Sequence, residues 1–404
     1  MYIYRDLSIT SAPKPTLFRR FCPIALPLPS PDTACSVEKH AALALGRLDG
    51  ALRYLPAGAD RILAARRLRQ TLLDALRQEG HAFSDQRFAA WFAGLLPLVD
   101  PADRLTADLR PPRAMVAALL HALGHSSWAP LASLAVEIGP AFMAWADEQV
   151  EEDHGPPGSM LEAARDLLAP VPAAARPLPF DLLRAVHRAV AASPLFAPGE
   201  FVPTPLRIGD WRVTVARPPS PSPRWAVEVL LGEQFYRAGY LTHALPLTGL
   251  LRLDGLDGDS EESRADRAEA LLHLADGLGK DVGEARASAD DAIRLGTDRR
   301  STSRVPALYA LLVGFGAMRA AQLERLLGVS RLGLRKMLST LEQNGCVSRT
   351  TIGGVHLYSA ARPRSFMESP PLPSSPFTPG ALVEFDAAMD EVDALLARLT
   401  PAVR

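Results

Sequence analysis

Residues 304–364 read RVPALYALLVGFGAMRAAQLERLLGVSRLGLRKMLSTLEQNGCVSRTTIGGVHLYSAARPR, and apolar spacing, turn residues and charge in this stretch converge on one structure. Leu308, Leu311 and Leu312 make an apolar stripe at helical spacing, closed by Gly314 and Gly316. A short second helix is predicted from about Arg319 to Leu327, with Leu323, Leu326 and Leu327 inward and Gly328 as the left-handed residue that ends it. Ser330 is a good N-cap for a third helix, in which Leu334, Leu338 and Leu341 recur at steps of four and three. Asn344-Gly345 stops that helix. Cys346–Thr351 then reads as a strand, Gly353-Gly354 as a tight turn and Val355–Tyr358 as the returning strand. Helix, turn, helix and hairpin together predict a winged helix-turn-helix.

The face of the third helix opposite its leucines carries Arg331, Arg335, Lys336 and Ser339, long cations and a short hydroxyl suited to phosphates and base edges. Arg349 and His356 on the hairpin are expected to meet phosphates. Between Ser301 and Arg364, eight arginines and one lysine stand against Glu324 and Glu342, a net charge of +7, while the whole chain carries −1. Such a split between regions is a footprint of polyanion binding. A winged helix can also serve as a protein dimerisation module. That role gives no reason to gather arginine on the third helix, so the expected partner is double-stranded DNA.

At 404 residues the chain is long enough for two or three domains of about 150 residues. Apolar residues make up 48% of it, yet no apolar run reaches the roughly 18 residues of a membrane span. The opening Met1-Tyr2-Ile3-Tyr4-Arg5-Asp6 lacks a basic start followed by an apolar core, so no secretory signal is expected. Cys22, Cys35 and Cys346 cannot all pair, and nothing spaces them as metal ligands, which fits a reducing cytoplasm.

Residues 1–36, rich in Pro and Ser, read as an extended arm. A helical domain is expected over 37–296, with helices at about His40–Leu55, Ala59–Glu79, Pro112–Leu123, Pro130–Glu151, Ser159–Leu168 and Pro179–Ala192, one capped by Ser84 that contains Phe88, Trp91 and Phe92, and more than one helix over Arg264–Leu295. Gly46 and Gly50, one turn apart in the first of these, each cost about 1 kcal/mol against Ala, which predicts close approach of another backbone. The five arginines of the second helix read either as a nucleic-acid surface or as a solvated face paired with acids such as Asp60, Asp74 and Glu79; the second reading is preferred. Trp211–Val215 and Trp225–Val229 alternate with a period of two and predict a hairpin or pair of strands. Residues 297–362 form the winged helix, 363–378 a Pro/Ser-rich linker, and 379–404 carry an amphipathic helix. The apolar residues Leu382, Phe385, Met389, Val392, Leu396 and Leu399 of that helix fit a docking face or a dimer seam. The predicted fold is therefore mainly α: a helical bundle with a small β-hairpin element and a C-terminal winged helix-turn-helix domain.

Few residues suggest a reaction centre. His121 and His125 stand one helical turn apart, but Ala122 replaces the glutamate a zinc peptidase needs, and no metal is expected. Asp254, Asp257, Asp259 and Glu261 lack the alternating spacing of a calcium loop. No phosphate loop of the Gly-x-x-x-x-Gly-Lys-Ser/Thr kind and no Gly-x-Ser-x-Gly elbow occurs, so neither a catalytic residue nor a cofactor is assigned.

The stretch Ala42-Leu43-Ala44-Leu45-Gly46-Arg47-Leu48-Asp49-Gly50, followed by Leu55-Pro56, is similar to the opening helix of Fic-type, AMP-transferring proteins, some of which also end in a winged helix. The His-Pro-Phe motif and Gly-Asn-Gly-Arg phosphate cradle of that chemistry are absent from the sequence. The layout more closely resembles a bacterial family of unknown function, found in alphaproteobacteria and often on plasmids, in which a helical domain precedes a helix-turn-helix DNA-binding domain. The resemblance implies DNA binding, as in a transcriptional regulator. The alternatives are a catalytically degenerate Fic-like protein that binds a nucleotide or protein, and a nucleotidyl transferase with a divergent motif. A homodimer is expected, because one winged helix buries little surface on DNA.

Overall fold

The computed structural model describes residues 31–56, 58–99, 109–144, 157–171, 178–197, 202–208, 211–217, 221–251, 260–296 and 304–361. The expected N-terminal arm up to residue 30, the acidic turn at Asp254–Asp259, the linkers 297–303 and 363–378 and the amphipathic helix 379–399 lie outside these residues. Among the described residues the chain is mainly helical, with one two-stranded hairpin and one three-stranded antiparallel sheet. No described helix is long and apolar enough to cross a membrane.

The fold is built around α2 (Ala59–Gln78). Ile62, Leu63, Leu68, Leu72, Leu73 and Leu76 are all buried, and they occupy more of the circumference than one amphipathic stripe, so the helix must be enclosed by neighbours. Packed against it are α4 (Pro112–Leu123), α5 (Ala129–Ile138), α8 (Arg224–Arg237), α9 (Glu261–Gly296) and α10 (Val305–Phe315). Outside these, α1 (Pro31–Arg53) runs along α9, α6 (Pro157–Leu168) rests on α4 and α8, and α7 (Pro179–Ala192) contacts α6 and α9. The short α3 (Asp85–Phe92), capped by the Ser84 hydroxyl accepting from the Arg87 N–H at 3.2 Å, carries Phe88, Trp91 and Phe92 into an aromatic cluster with Phe142 and Phe315.

One charged pair is built into this core. Glu79 is fully buried and accepts from the Arg110 guanidinium at 2.8 Å, the Arg110 backbone N–H at 3.1 Å and the Trp225 indole N–H at 3.0 Å. Three donors meet the carboxylate's demand for hydrogen bonds, the condition for tolerating a buried ion pair.

The C-terminal part runs α10, β3 (Met318–Arg319), α11 (Ala320–Leu327), α12 (Arg331–Gln343), β4 (Val347–Ile352) and β5 (Val355–Ala360), with strand order β3-β5-β4. It shares one continuous apolar core with the helical part. Gly314 lies mid-crossing: a Cβ there would stand 2.5 Å from the Ala65 Cβ and 2.8 Å from the Ile62 carbonyl, so α10 reaches α2 only because that position is glycine. The expectation that Gly314 closes the helix is thus met at Gly316, whose φ of 99° ends α10. Gln322 is fully buried in α11, and its amide donates to the carbonyls of Ala141 at 2.8 Å and Phe92 at 3.2 Å. Arg325 donates to the Pro140 carbonyl, and Leu357 of β5 packs on Ala90 and Ala93.

Several expectations are corrected. Trp225–Val229 is not a strand but the start of α8, where Trp225, Ala226, Val227, Glu228 and Val229 are all buried. A helix enclosed on every side has no polar face, so a period of two there carries no information. The partner of β2 (Trp211–Arg217) is instead β1 (Val202–Ile208), which contains Pro203 and Pro205. Prolines two apart place both missing donors on one side of the strand, and a two-stranded hairpin leaves each strand one edge that needs none. The first helix starts at Pro31, inside the predicted arm; α5 ends at Ile138, where Gly139–Ala141 forms a 3₁₀ turn; and residues 261–296 form one helix. Gly46 and Gly50 permit no close approach, since a Cβ at either would meet nothing within 4 Å.

Candidate nucleic-acid interface

The local rules that start and stop α11 and α12 set the angle at which α12 is presented. Gly328, at φ 57° and ψ 42°, ends α11 in the left-handed conformation. Two residues later the Ser330 hydroxyl accepts from the Gly333 N–H at 3.2 Å and starts α12. Leu334, Leu338 and Leu341 are buried, which fixes the rotation of α12 about its axis. Arg331, Arg335, Lys336 and Ser339 consequently fall on the exposed side, as their spacing predicts.

On the hairpin, Gly353 and Gly354 both take positive φ, 56° and 76°, the requirement of a two-residue turn matched to strand twist. The register pairs Arg349 with Tyr358 and Thr351 with His356. Directly opposed residues point to the same face, so Arg349 and His356 share one side of the hairpin and Leu357 lies on the other, packed on α3. The Thr351 hydroxyl and the His356 Nδ1 are 2.9 Å apart. All six residues singled out from the sequence are therefore exposed: four together on α12, two together on the hairpin. Among the described residues no hydrogen bond or ion pair joins the two groups.

The fate of each arginine separates structural from available charge. All five arginines of α2 have acceptors: Arg61 pairs with Glu137, Arg66 with Asp281 and Glu284, and Arg69 and Arg77 with Asp85. Arg67, buried, donates to the Pro246 carbonyl at 2.9 Å, and desolvation pushes its pKa down. The pairing expected for this helix is present, but Asp85, Glu137, Asp281 and Glu284 supply it rather than Asp60, Asp74 and Glu79. In the C-terminal part, Arg304 donates to the carbonyls of Leu327 and Gly328, Arg319 to the Met143 sulfur and Arg325 to Pro140. Arg331, Arg335, Lys336 and Arg349 have no hydrogen-bond or ion-pair acceptor among the described residues.

Elsewhere, the His121 and His125 rings meet edge to face with centroids 4.9 Å apart, and the His125 Nδ1 lies 2.9 Å from the His121 carbonyl oxygen. Among the described residues no three His, Cys, Asp or Glu side chains are grouped to hold a metal ion. A cleft of about 380 Å³ between α4, α6 and α8 is lined by Arg165, Asp166, Glu233 and Arg237. Glu233 is already committed there, accepting from the Ser127 N–H and hydroxyl at 2.8 and 2.7 Å. Sequence reasoning missed Gln322, because a glutamine on a short helix carries no signal that its nitrogen is satisfied by carbonyls of other elements. It also missed Leu332, which is 62% exposed at the start of α12. No protein-family model matches the chain, and no curated protein matches it.

Proposed function

We propose that this chain is a sequence-specific DNA-binding protein of the transcription-regulator kind, in which residues 304–361 act as a winged helix-turn-helix and α12 reads the major groove. The element order α10-β3-α11-α12-β4-β5 and the strand order β3-β5-β4 support this reading. The observation that carries it is the grouping of cations on α12. Arg331, Arg335 and Lys336 are exposed together on α12 and Arg349 is exposed on the hairpin, and none of the four has a hydrogen-bond or ion-pair acceptor among the described residues, whereas all five arginines of α2 do. Long exposed cations without an intramolecular partner can neutralise phosphates and release the counterions condensed on them without first breaking a pair of their own. In this reading Arg331, Arg335 and Ser339 face base edges, while Lys336, Arg349 and His356 meet phosphates. A homodimer is part of the proposal, since a single module buries too little for specific binding and a two-fold protein matches a palindromic site.

Fluorescence anisotropy on duplex DNA at several salt concentrations tests it. Arg331→Ala and Arg335→Ala are each expected to weaken specific binding by about 1–3 kcal/mol and relax sequence preference. Lys336→Ala and Arg349→Ala are expected to weaken binding to all sequences alike and lower the salt slope by about one. Unchanged affinity in the Arg331/Arg335 double variant would falsify the proposal and leave the face as a protein contact.

A further inference from the structure

We infer that Leu332 is a base-reading residue that recognises the C5-methyl group of a thymine in the major groove. The inference rests on the DNA-binding reading above and adds to it the identity of one base. Three leucines of α12 are buried, at 1%, 4% and 0% exposure for Leu334, Leu338 and Leu341, whereas Leu332 is 62% exposed. Among the described residues Leu332 belongs to no apolar core cluster. Ser330 already caps the helix, and the positions whose apolar contact commonly braces a helix entry, the residue before the cap and the fourth helical residue, are Val329, packed against the core, and Leu334, buried in it. Leu332 is instead the second residue of the helix, beside Arg331 and one turn before Arg335 and Lys336, so an apolar side chain is set among cations that have no intramolecular acceptor.

That arrangement has a specific chemical counterpart. A major groove offers hydrogen-bonding atoms on every base pair but one exposed apolar group, the thymine methyl. Lys336, one turn on from the leucine, holds the helix to phosphate while the N-terminal turn with Arg331 enters the groove, the part of a reading helix that approaches base edges in helix-turn-helix proteins. Leu332 lacks any hydrogen-bonding atom, so it discriminates by covering the methyl from water. Covering one methyl is expected to change affinity about 3–5-fold.

The experiment uses the full-length protein. Duplexes are first selected from a random library, and the selected site is then remade with each thymine replaced singly by deoxyuridine, which removes the methyl and nothing else. Binding is read by anisotropy. The expected result is one thymine in each half-site at which the replacement weakens wild-type binding about 3–5-fold. Leu332→Ala is expected to bind the thymine and deoxyuridine duplexes equally, at the level of wild type on deoxyuridine, with an unchanged thermal midpoint because the side chain is exposed. Wild type indifferent to every replacement, or Leu332→Ala still preferring thymine, overturns the inference while leaving DNA binding in place. Failure to select any sequence overturns the DNA-binding reading and this inference with it.

Discussion

Replacing Gln322 by Leu removes a side chain whose nitrogen ties α11 to the helical body and whose oxygen caps the start of α11 itself. The Gln322 amide nitrogen donates to Ala141 O at 2.8 Å and Phe92 O at 3.2 Å, and its oxygen accepts from the Arg319 N–H at 3.0 Å. The residue is fully buried, so water cannot take over these roles. Phe92 O keeps a second donor, the Met143 N–H at 3.1 Å, which leaves Ala141 O and Arg319 N as the groups stripped of a partner. Each bare buried group costs about 1–3 kcal/mol, and the more apolar leucine returns about 1 kcal/mol of transfer free energy. The net expectation is a loss of about 1–5 kcal/mol in urea unfolding with little change in m-value. Gln322→Glu is expected to be worse despite its similar shape, because one oxygen still accepts from Arg319 while the other confronts two carbonyls. A Leu variant within about 0.5 kcal/mol of wild type would show that the buried amide does not stitch α11 to the body.

Two further perturbations probe the same packing and its pH response. Gly314→Ala normally gains up to about 1 kcal/mol within a helix, but here the new methyl meets Ala65 and the Ile62 carbonyl, so a loss of about 1–3 kcal/mol is expected by thermal unfolding, and a gain refutes the close crossing of α10 on α2. His187, buried on α7 with its Nδ1 2.8 Å from Leu183 O, has its pKa lowered from 6.5 to about 4 by desolvation, with Arg267 and Arg224 adding repulsion. The unfolded chain therefore takes up the proton first: the stabilisation is present above about pH 6.5 and lost as pH falls toward 4. His187→Gln is expected to remove about 2–3 kcal/mol of the loss between pH 7 and pH 4.5 in denaturant titrations, and an unchanged loss refutes the assignment.

What the sequence made legible follows from what periodicity encodes. The leucines at 334, 338 and 341 and the Ser330 cap determined α12 because both signals are local: one face must be buried and one free N–H must be met. Gly353-Gly354 marked the hairpin turn for the same reason, since both residues take positive φ. The two-residue strand β3 was not legible, because it is defined by pairing with Leu357 and Tyr358 nearly forty positions later rather than by any pattern of its own. Trp225–Val229 misled because enclosure by other elements erased the polar face that periodicity reads. Gly46 and Gly50 misled in the opposite way: their cost in a helix is real, but the close approach inferred from it occurs at Gly314 and at Gly232, where a Cβ would stand 1.8 Å from the Leu245 carbonyl oxygen.

The arginines show why a charge count is weaker than a geometry. In sequence, the run in α2 and the set on α12 look alike, and both invite a polyanion. In space, α2 is ringed by Glu137, Asp281, Glu284 and Asp85, all supplied by other segments, whereas α12 lies at the edge of the fold with its leucines turned inward and no acid paired with its cations among the described residues. Of the nine cations behind the local charge of +7, Arg319 and Arg325 are spent on a sulfur and a carbonyl that fasten the unit to the body, and Arg304 on carbonyls at the end of α11. That fastening bears on the proposed function. The turn between α11 and α12 is short, so Gln322 and Arg325, by fixing α11, also fix the angle of α12. A reading helix held at a set angle loses no orientational freedom on binding and imposes one geometry on its site, which favours specificity over accommodation.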